Sequence, residues 1–257
     1  MEQKKPVILI TNDDGITSPG IKAMVNAVRD LGQIIVVAPD SPQSGMGHAI
    51  TIGDPLRLNK VDIFEGIDAW QCSGTPADCV KLSRDVILHS MPDLCLSGIN
   101  HGANHSINVI YSGTMSAAME AAIEGVPSIG CSSLDYRFEA DFTLAAHVVR
   151  DLAIRMLAQP MPRHTLLNVN VPIVTQEAYK GIKICRQAYA RWAEEFDHRI
   201  DPRGKDYYWM TGKFINMDNE TGTDVEALKE GYASVVPVKI DFTDHTMREW
   251  LQKEWQA

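Results

Sequence analysis

Two apolar runs separated by one capped helix occupy the first forty residues, and they constrain the fold more than anything that follows. Pro6–Thr11 reads PVILIT and Gln33–Ala38 reads QIIVVA. Short, continuous, β-branched runs of this kind are strands buried on both faces, which is the condition of a parallel sheet. Between them, Ser18 reads as an N-cap and Pro19 as the first helical residue. Ile21, Met24, Val25 and Val28 then share one helical face, and Gly32 closes the helix after Leu31. Strand, helix and strand make a βαβ unit, so the chain is expected to be an α/β protein with helices on both faces of a mostly parallel sheet.

The later sequence extends that pattern. Ile50–Gln71 is a β-rich excursion with a Gly53-Asp54-Pro55 turn. Thr75-Pro76-Ala77-Asp78 is a second helix start, with Thr as cap and Asp third, and the helix is predicted to end near Ser90. DLCLSG gives a third parallel strand ending at Ser97, and Gly113-Thr114 opens a helix of small residues. PSIGCSS is a fourth strand, Phe138–Ala158 a long amphipathic helix, and TLLNVNVP a further strand. After Val174 the texture becomes aromatic and charged. The division expected is a core over residues 1–175 and a C-terminal β-rich extension over 176–257, with a closing strand and helix. Within the extension, Arg186–Gly212 reads as a hairpin arm for oligomerisation. It carries Tyr189, Trp192, Phe196, Tyr207, Tyr208 and Trp209 around an Asp201-Pro202-Arg203-Gly204 turn.

Charge and cysteine usage narrow the function classes. The 33 acidic residues outnumber the 24 basic ones, for a formal charge of −9, which argues against a nucleic-acid polymer or an anionic membrane as partner. Five cysteines without a Cys-x-x-Cys pair suit a reducing, cytoplasmic compartment. No secretory signal or membrane span is read.

Open parallel sheets bind ligands beyond the carboxyl ends of their strands. The first strand here ends in Asn12-Asp13-Asp14-Gly15, the second in APDSPQSGMGH, and the third in SGINHGANHS. Adjacent carboxylates repel unless a cation lies between them. Two Asp carboxylates, a Ser hydroxyl and an Asn carbonyl would make an all-oxygen set of the kind Mg²⁺ or Mn²⁺ takes. The same residues also make an ordinary Asp-Asp-Gly turn, and both readings stand on these residues alone. Ser112-Gly113-Thr114 places hydroxyls and unpaired N–H groups at a helix start, which serves either a phosphate or a simple cap. His48, His101 and His105 lie near these loops without metal-ligand spacing. No Walker lysine, G-x-S-x-G or H-E-x-x-H motif occurs.

Taken together and in this order, the stretches TNDDG…SPGI (11–21), VVAPDSPQSGMG (36–47), SGTPADCVKL (73–82), SGINHGAN (97–104) and IYSGTMSAAMEA (110–121) resemble the SurE family of metal-dependent 5′-nucleotidases. TDVEALKEGYASVVPV (223–238) continues the likeness. The resemblance implies a Rossmann-like core with a C-terminal extension used in homodimers or homotetramers. It implies hydrolysis of nucleoside monophosphates, in some members also 3′-nucleotides or short polyphosphate. It further implies one divalent metal ion per subunit, held by Asp13, Asp14, Ser44 and Asn100. Asn104 and Ser112, Gly113 and Thr114 match the family's phosphate-contacting elements, with Asp13, Asp14 and Asn104 as the catalytic group. Two other classes compete. A receiver domain would need an aspartate at the end of the third strand, where this chain has Ser97-Gly98-Ile99-Asn100, and it would be far shorter. A nucleotide-binding module without catalysis is separated from the enzyme by a phosphate-release assay.

Overall fold

The apolar run after Pro6 becomes the central strand β1 (Val7–Thr11), and every later element is placed relative to it. The structure is a computed structural model and describes residues 5–137, 139–159 and 161–256. Helix α1 (Pro19–Val28) follows, with Pro19 at its first position and Ser18 as N-cap, and β2 (Gln33–Pro39) returns parallel to β1. The excursion after it holds β3 (Leu58–Val61) and β4 (Asp68–Cys72), the latter parallel to β2. Helix α2 (Pro76–Leu82) starts in a capping box, with the Thr75 hydroxyl and the Asp78 carboxylate each taking the other's backbone N–H. Such caps are worth about 1 kcal/mol each. A π-helical turn, Ser83–Leu88, continues it almost to the expected end.

Strand β5 (Leu94–His101) runs past Ser97, where the sequence placed its end. Its pairing with β6 (Ser128–Ser133) breaks register between Ser97 and Asn100 and then resumes, so Gly98-Ile99 is an irregularity within the strand. Gly98 has φ 125°, and a Cβ there would come 2.3 Å from the Cys131 carbonyl oxygen. After a 3-10 turn, Ser106–Ile110, come α3 (Gly113–Ile123), α4 (Thr143–Ala158) and β7 (Thr165–Val171). Helix α4 starts five residues later than the apolar pattern placed it. Asp141 accepts the Thr143 backbone N–H at 2.8 Å and sets that start, while Phe138 itself lies outside the described residues.

The extension adds β8 (Ile182–Ile184), β9 (Ala190–Ile200), β10 (Asp206–Asn216), α5 (Asp224–Lys229), β11 (Ala233–Lys239) and α6 (His245–Trp255). The main sheet has nine strands in the order β3-β4-β2-β1-β5-β6-β7-β11-β8. Its central strands are parallel, with antiparallel pairs at β3–β4 and β7–β11. Strands β9 and β10 form a separate antiparallel pair, the hairpin expected of the arm. Ile8 and Ile10 face a core with α1 and α4, while Leu9 faces the opposite core with α2 and α3. That alternation explains why the first run is apolar at successive positions: both of its faces are covered.

Candidate active site

Strand β1 is flanked by β2 on one side and β5 on the other. The chain leaves β1 in one direction and later returns in the other, so a crevice opens beyond the carboxyl ends of β1 and β5, where doubly wound sheets bind ligands. A cavity of about 690 Å³ lies there.

Asn12 shapes the turn after β1. Its side-chain N–H groups donate to the Gly15 carbonyl at 2.9 Å and the Ser18 hydroxyl at 2.8 Å. Gly15 takes φ 94°, a conformation that favours glycine. The turn is thereby tied to the cap of α1 and presents Asp13 and Asp14. Asp13 is 3% exposed, and its carboxylate accepts the Thr114 hydroxyl at 2.5 Å. Burial and the neighbouring Asp14 charge push its carboxyl up to about 6 against the Thr114 hydrogen bond. Asp14 is half-buried and accepts the His101 backbone N–H at 3.1 Å. Burial raises its carboxyl as well, opposed by that N–H and the His101 side chain.

The second strand's loop is pinned to the first. The Gln43 N–H donates to the Asp13 carbonyl at 2.7 Å, and the Gly47 N–H to the Tyr111 carbonyl at 3.1 Å. This brings Ser44 onto the cavity wall beside Asp13. His48, just beyond, meets the Glu120 carboxylate on α3 at 2.9 Å, and Lys81 on α2 takes the other oxygen at 2.5 Å. Asn100 also lines the cavity. Its amide nitrogen is committed to the Gly102 carbonyl at 2.6 Å, which leaves the side-chain oxygen for a ligand.

Asn104 and Ser112 complete the polar lining. Ser112 caps α3 through the Met115 N–H at 3.0 Å. Gly113 and Thr114 sit against Asp13. A Cβ on Gly113 would come 2.7 Å from the Asp13 Cβ, so the glycine lets the helix start approach the carboxylate. The eight residues singled out from sequence thus gather at the ends of β1, β2 and β5 and the start of α3. Asp13, Ser44, Asn100, Asn104 and Ser112 line the cavity itself.

Residues absent from that reading hold Asn104. Its N–H donates to Asn170 Oδ1 at 2.8 Å, its carbonyl accepts Asn168 Nδ2 at 2.9 Å, and its side-chain amide donates to the Ser132 hydroxyl at 2.9 Å. Asn170 donates in turn to Asn168 Oδ1 at 2.9 Å. The two asparagines of TLLNVNV are buried on one face of β7. Two amides at alternate positions of an otherwise apolar strand were the available signal. Asp224 on α5 performs a similar task next door, accepting the Ser106 N–H at 2.7 Å and the Ala188 N–H at 3.0 Å. It fixes the 3-10 turn beneath the hairpin.

The arrangement offers oxygen donors and little else to a cation. Among the described residues no cluster of three or more His, Cys, Asp or Glu occurs, and the cavity lining has no lysine or arginine. One buried and one half-buried carboxylate, a hydroxyl and an amide oxygen suit a hard divalent ion.

A family model described as Survival protein SurE matches residues 8–194, ending within β9. The 5′-nucleotidase SurE of Christiangramia forsetii is 58% identical over 247 residues, covering 95% of this chain and 95% of its own. That of Cytophaga hutchinsonii is 54% identical over 253 residues, 98% of each chain. The crystal structure of a SurE protein from Aquifex aeolicus is similar with a TM-score of 0.82 at 41% identity, covering 96% of this chain and 99% of that one.

Proposed function

This chain belongs to the survival protein SurE family, and on that premise we propose that it is a 5′-nucleotidase, hydrolysing nucleoside 5′-monophosphates to nucleoside and inorganic phosphate in the cavity beyond β1 and β5. The observation that carries the reading is a cavity lined by the buried Asp13 carboxylate, with the half-buried Asp14 next to it in the chain, whose lining holds no lysine or arginine. A phosphate dianion cannot be held there by the side chains alone. Asp13, Asp14, Ser44 and Asn100 would hold one divalent ion, Mg²⁺ or Mn²⁺. When bound, it supplies the positive charge that phosphoryl transfer needs against the phosphate oxygens.

The chain's own residues position the rest. Asn104, locked by Asn168, Asn170 and Ser132, presents its side chain to the phosphate without reorganisation. Ser112 stands beside it at the N-terminus of α3, where the helix dipole favours an anion. Gly113 and Thr114 hold the Asp13 carboxylate at the same helix end.

Three finer parts of the reading go with this. Residues 1–175 form the catalytic core and 176–257 the extension. The hairpin serves as an oligomerisation arm in a homodimer or homotetramer, supported by its exposed Tyr208 and Trp209. The enzyme works in a reducing compartment such as the cytoplasm, supported by five buried free thiols. Among the described residues no helix is long and apolar enough to cross a membrane.

Phosphate release from AMP tests the function. Release with Mn²⁺ or Mg²⁺ that stops on adding EDTA is the expected result. AMP binding without phosphate release under every divalent ion tried would overturn it in favour of a non-catalytic nucleotide-binding module.

A further inference from the structure

The polar floor just described accounts for a minor part of the cavity. Its volume, about 690 Å³, lies within the range of roughly 300–1,000 Å³ typical of sites that enclose a whole small molecule. The remaining walls combine aromatic and apolar side chains with a few polar ones, Glu194 and Thr211 among them. Tyr111 and Tyr136 stand on the side of the asparagine loop, and Trp192 and Met210 face the cavity from β9 and β10.

Trp192 and Tyr136 differ from ordinary surface apolar groups in being braced. Trp192 donates its indole N–H to Asn108 Oδ1 at 2.7 Å. Phe214 stands edge-on to the indole at a centroid distance of 5.9 Å, and His105 edge-on to Phe214 at 5.0 Å. The hairpin base is thereby tied to the 3-10 turn, and the indole orientation is set before any ligand arrives. Tyr136 accepts the Ala103 N–H on its phenol oxygen at 3.0 Å. Its ring lies so close over Gly102 that a Cβ there would come 2.3 Å from it. Yet Tyr136 is 67% exposed and Met210 is 71% exposed. The held rings of Trp192 and Tyr136, with the exposed Met210 beside the pocket, leave a flat apolar surface without a partner. A flat, polarisable ring system is the chemistry that fits them, because base–aromatic stacking is favourable for any base. Extra phosphates fit badly, since the lining offers no fixed cation and contributes the Glu194 carboxylate on the hairpin side.

We propose that the β9–β10 hairpin is the specificity wall of the site, with Trp192 and Met210 receiving the nucleobase of the substrate against Tyr111 and Tyr136. The proposal deepens the nucleotidase reading and rests on it for the location of the phosphate end. It assigns a role in substrate selection to an element that shares no backbone pairing with the main sheet. The floor recognises any phosphomonoester, and the hairpin turns that general centre into one selective for nucleotides.

Two measurements on the full-length chain test it. The first is the preference for AMP over ribose 5-phosphate, taken as the ratio of their kcat/KM values with Mn²⁺. The second is the affinity for adenosine, which carries no phosphate, by calorimetry. Trp192→Ala is expected to lower the preference about tenfold, through KM for AMP, and to weaken adenosine binding about tenfold. Met210→Ala, at a position too exposed to endanger folding, is expected to move both in the same direction by about threefold. Trp192→Phe keeps a ring and is expected to retain most of the preference. Wild-type-like preference and adenosine affinity in both alanine variants would overturn the wall. A wild-type chain that hydrolyses neither phosphate ester, while Trp192→Ala still weakens adenosine binding, would overturn the nucleotidase reading and support the wall.

Discussion

The cavity floor and the hairpin above it are built on opposite plans. On the floor, Asp13, Asn100, Asn104 and Ser112 are buried, and each is tied by hydrogen bonds to a strand end or helix start of the main sheet. In the hairpin, Phe196, Tyr208 and Trp209 are exposed, and the two strands pair only with each other. The floor brings like charges together out of water. Burial of that kind is costly, and the divalent ion proposed for the site would offset it. The hairpin places apolar surface in water, and a lone two-stranded ribbon is marginal by itself. Its base is braced by Trp192 and Phe214, and its outer part stays exposed. On the proposed reading, chemistry sits on the part tied to the main sheet, and selection and assembly on the hairpin.

Breaking the floor has the largest expected effect. Asp13→Asn or Asp14→Asn removes a charged oxygen from the proposed ligand set. Loss of partners one shell further out commonly costs tenfold to a hundredfold in metal enzymes, so loss of a ligand is expected to lower kcat/KM for AMP by at least about a hundredfold. The fold is expected to persist, because the buried carboxylate is itself costly: burial holds the Asp13 carboxyl up to about 6. Full activity of both variants at limiting Mn²⁺ would break the assignment.

The support of the floor comes next. Asn170→Ala removes the acceptor of the Asn104 N–H and the donor to Asn168. A buried unsatisfied donor costs about 1–3 kcal/mol. Denaturant unfolding is expected to show a loss of that size, and phosphate release from AMP to fall about tenfold. An unfolding midpoint unchanged from wild type would show that the ladder is dispensable.

That ladder marks where the sequence stopped being legible. The acidic end of the cavity was readable because two adjacent carboxylates at the end of an apolar strand call for an explanation of their charge. The main-sheet strands and helices were readable because their caps and apolar faces are local. Asn168 and Asn170 were not assigned, since a neutral amide in a strand carries no charge to explain and its partner, Asn104, is more than sixty residues away. The continuation of β5 to His101 was missed for a similar reason: a glycine and a polar run resemble a strand end, and only pairing with β6 extends the strand. The hairpin was legible as a hairpin, but its place over the cavity depends on Trp192 meeting Asn108, a contact between distant segments.

Glu120 sharpens the comparison from a third position, the hinge between the Ser44 loop and α3. Burial pushes its carboxyl up, but hydrogen bonds from His48 and Lys81 outweigh that and hold it below the usual 4.5. A carboxyl with a lowered folded pKa contributes stability above its unfolded value, and the contribution is lost as pH falls through the lower folded value. Glu120→Gln is therefore expected to be less stable than wild type by about 1 kcal/mol at pH 7, a modest figure because His48 and Lys81 are partly exposed. The gap is expected to narrow as the pH drops below about 4.5. A gap that widens on acidification would show that the carboxylate is not favoured by its partners. Apparent Mn²⁺ affinity is expected to weaken severalfold, since His48 anchors the loop that carries Ser44.

The smallest expected effect on the isolated subunit lies at the arm's outer part. Tyr208 and Trp209 are 61% and 59% exposed. Tyr208 stacks on His198 within the hairpin, with centroids 4.9 Å apart, but no cavity residue lies among these three. Exchanging both for serine removes apolar surface that is already in water, so subunit stability is expected to change by no more than about 0.5 kcal/mol. Turnover per site is expected to follow the same pattern, because Trp192 and its brace at the hairpin base are untouched. What does change, on the reading of the hairpin as an assembly arm, is mass in solution: aromatic side chains are what subunit interfaces favour, and their removal is expected to yield a smaller oligomer by light scattering. An unchanged mass would confine the hairpin's role to the cavity wall. A smaller mass with preserved AMP preference would separate the arm's two proposed tasks, selection at the base and assembly further out along the same two strands.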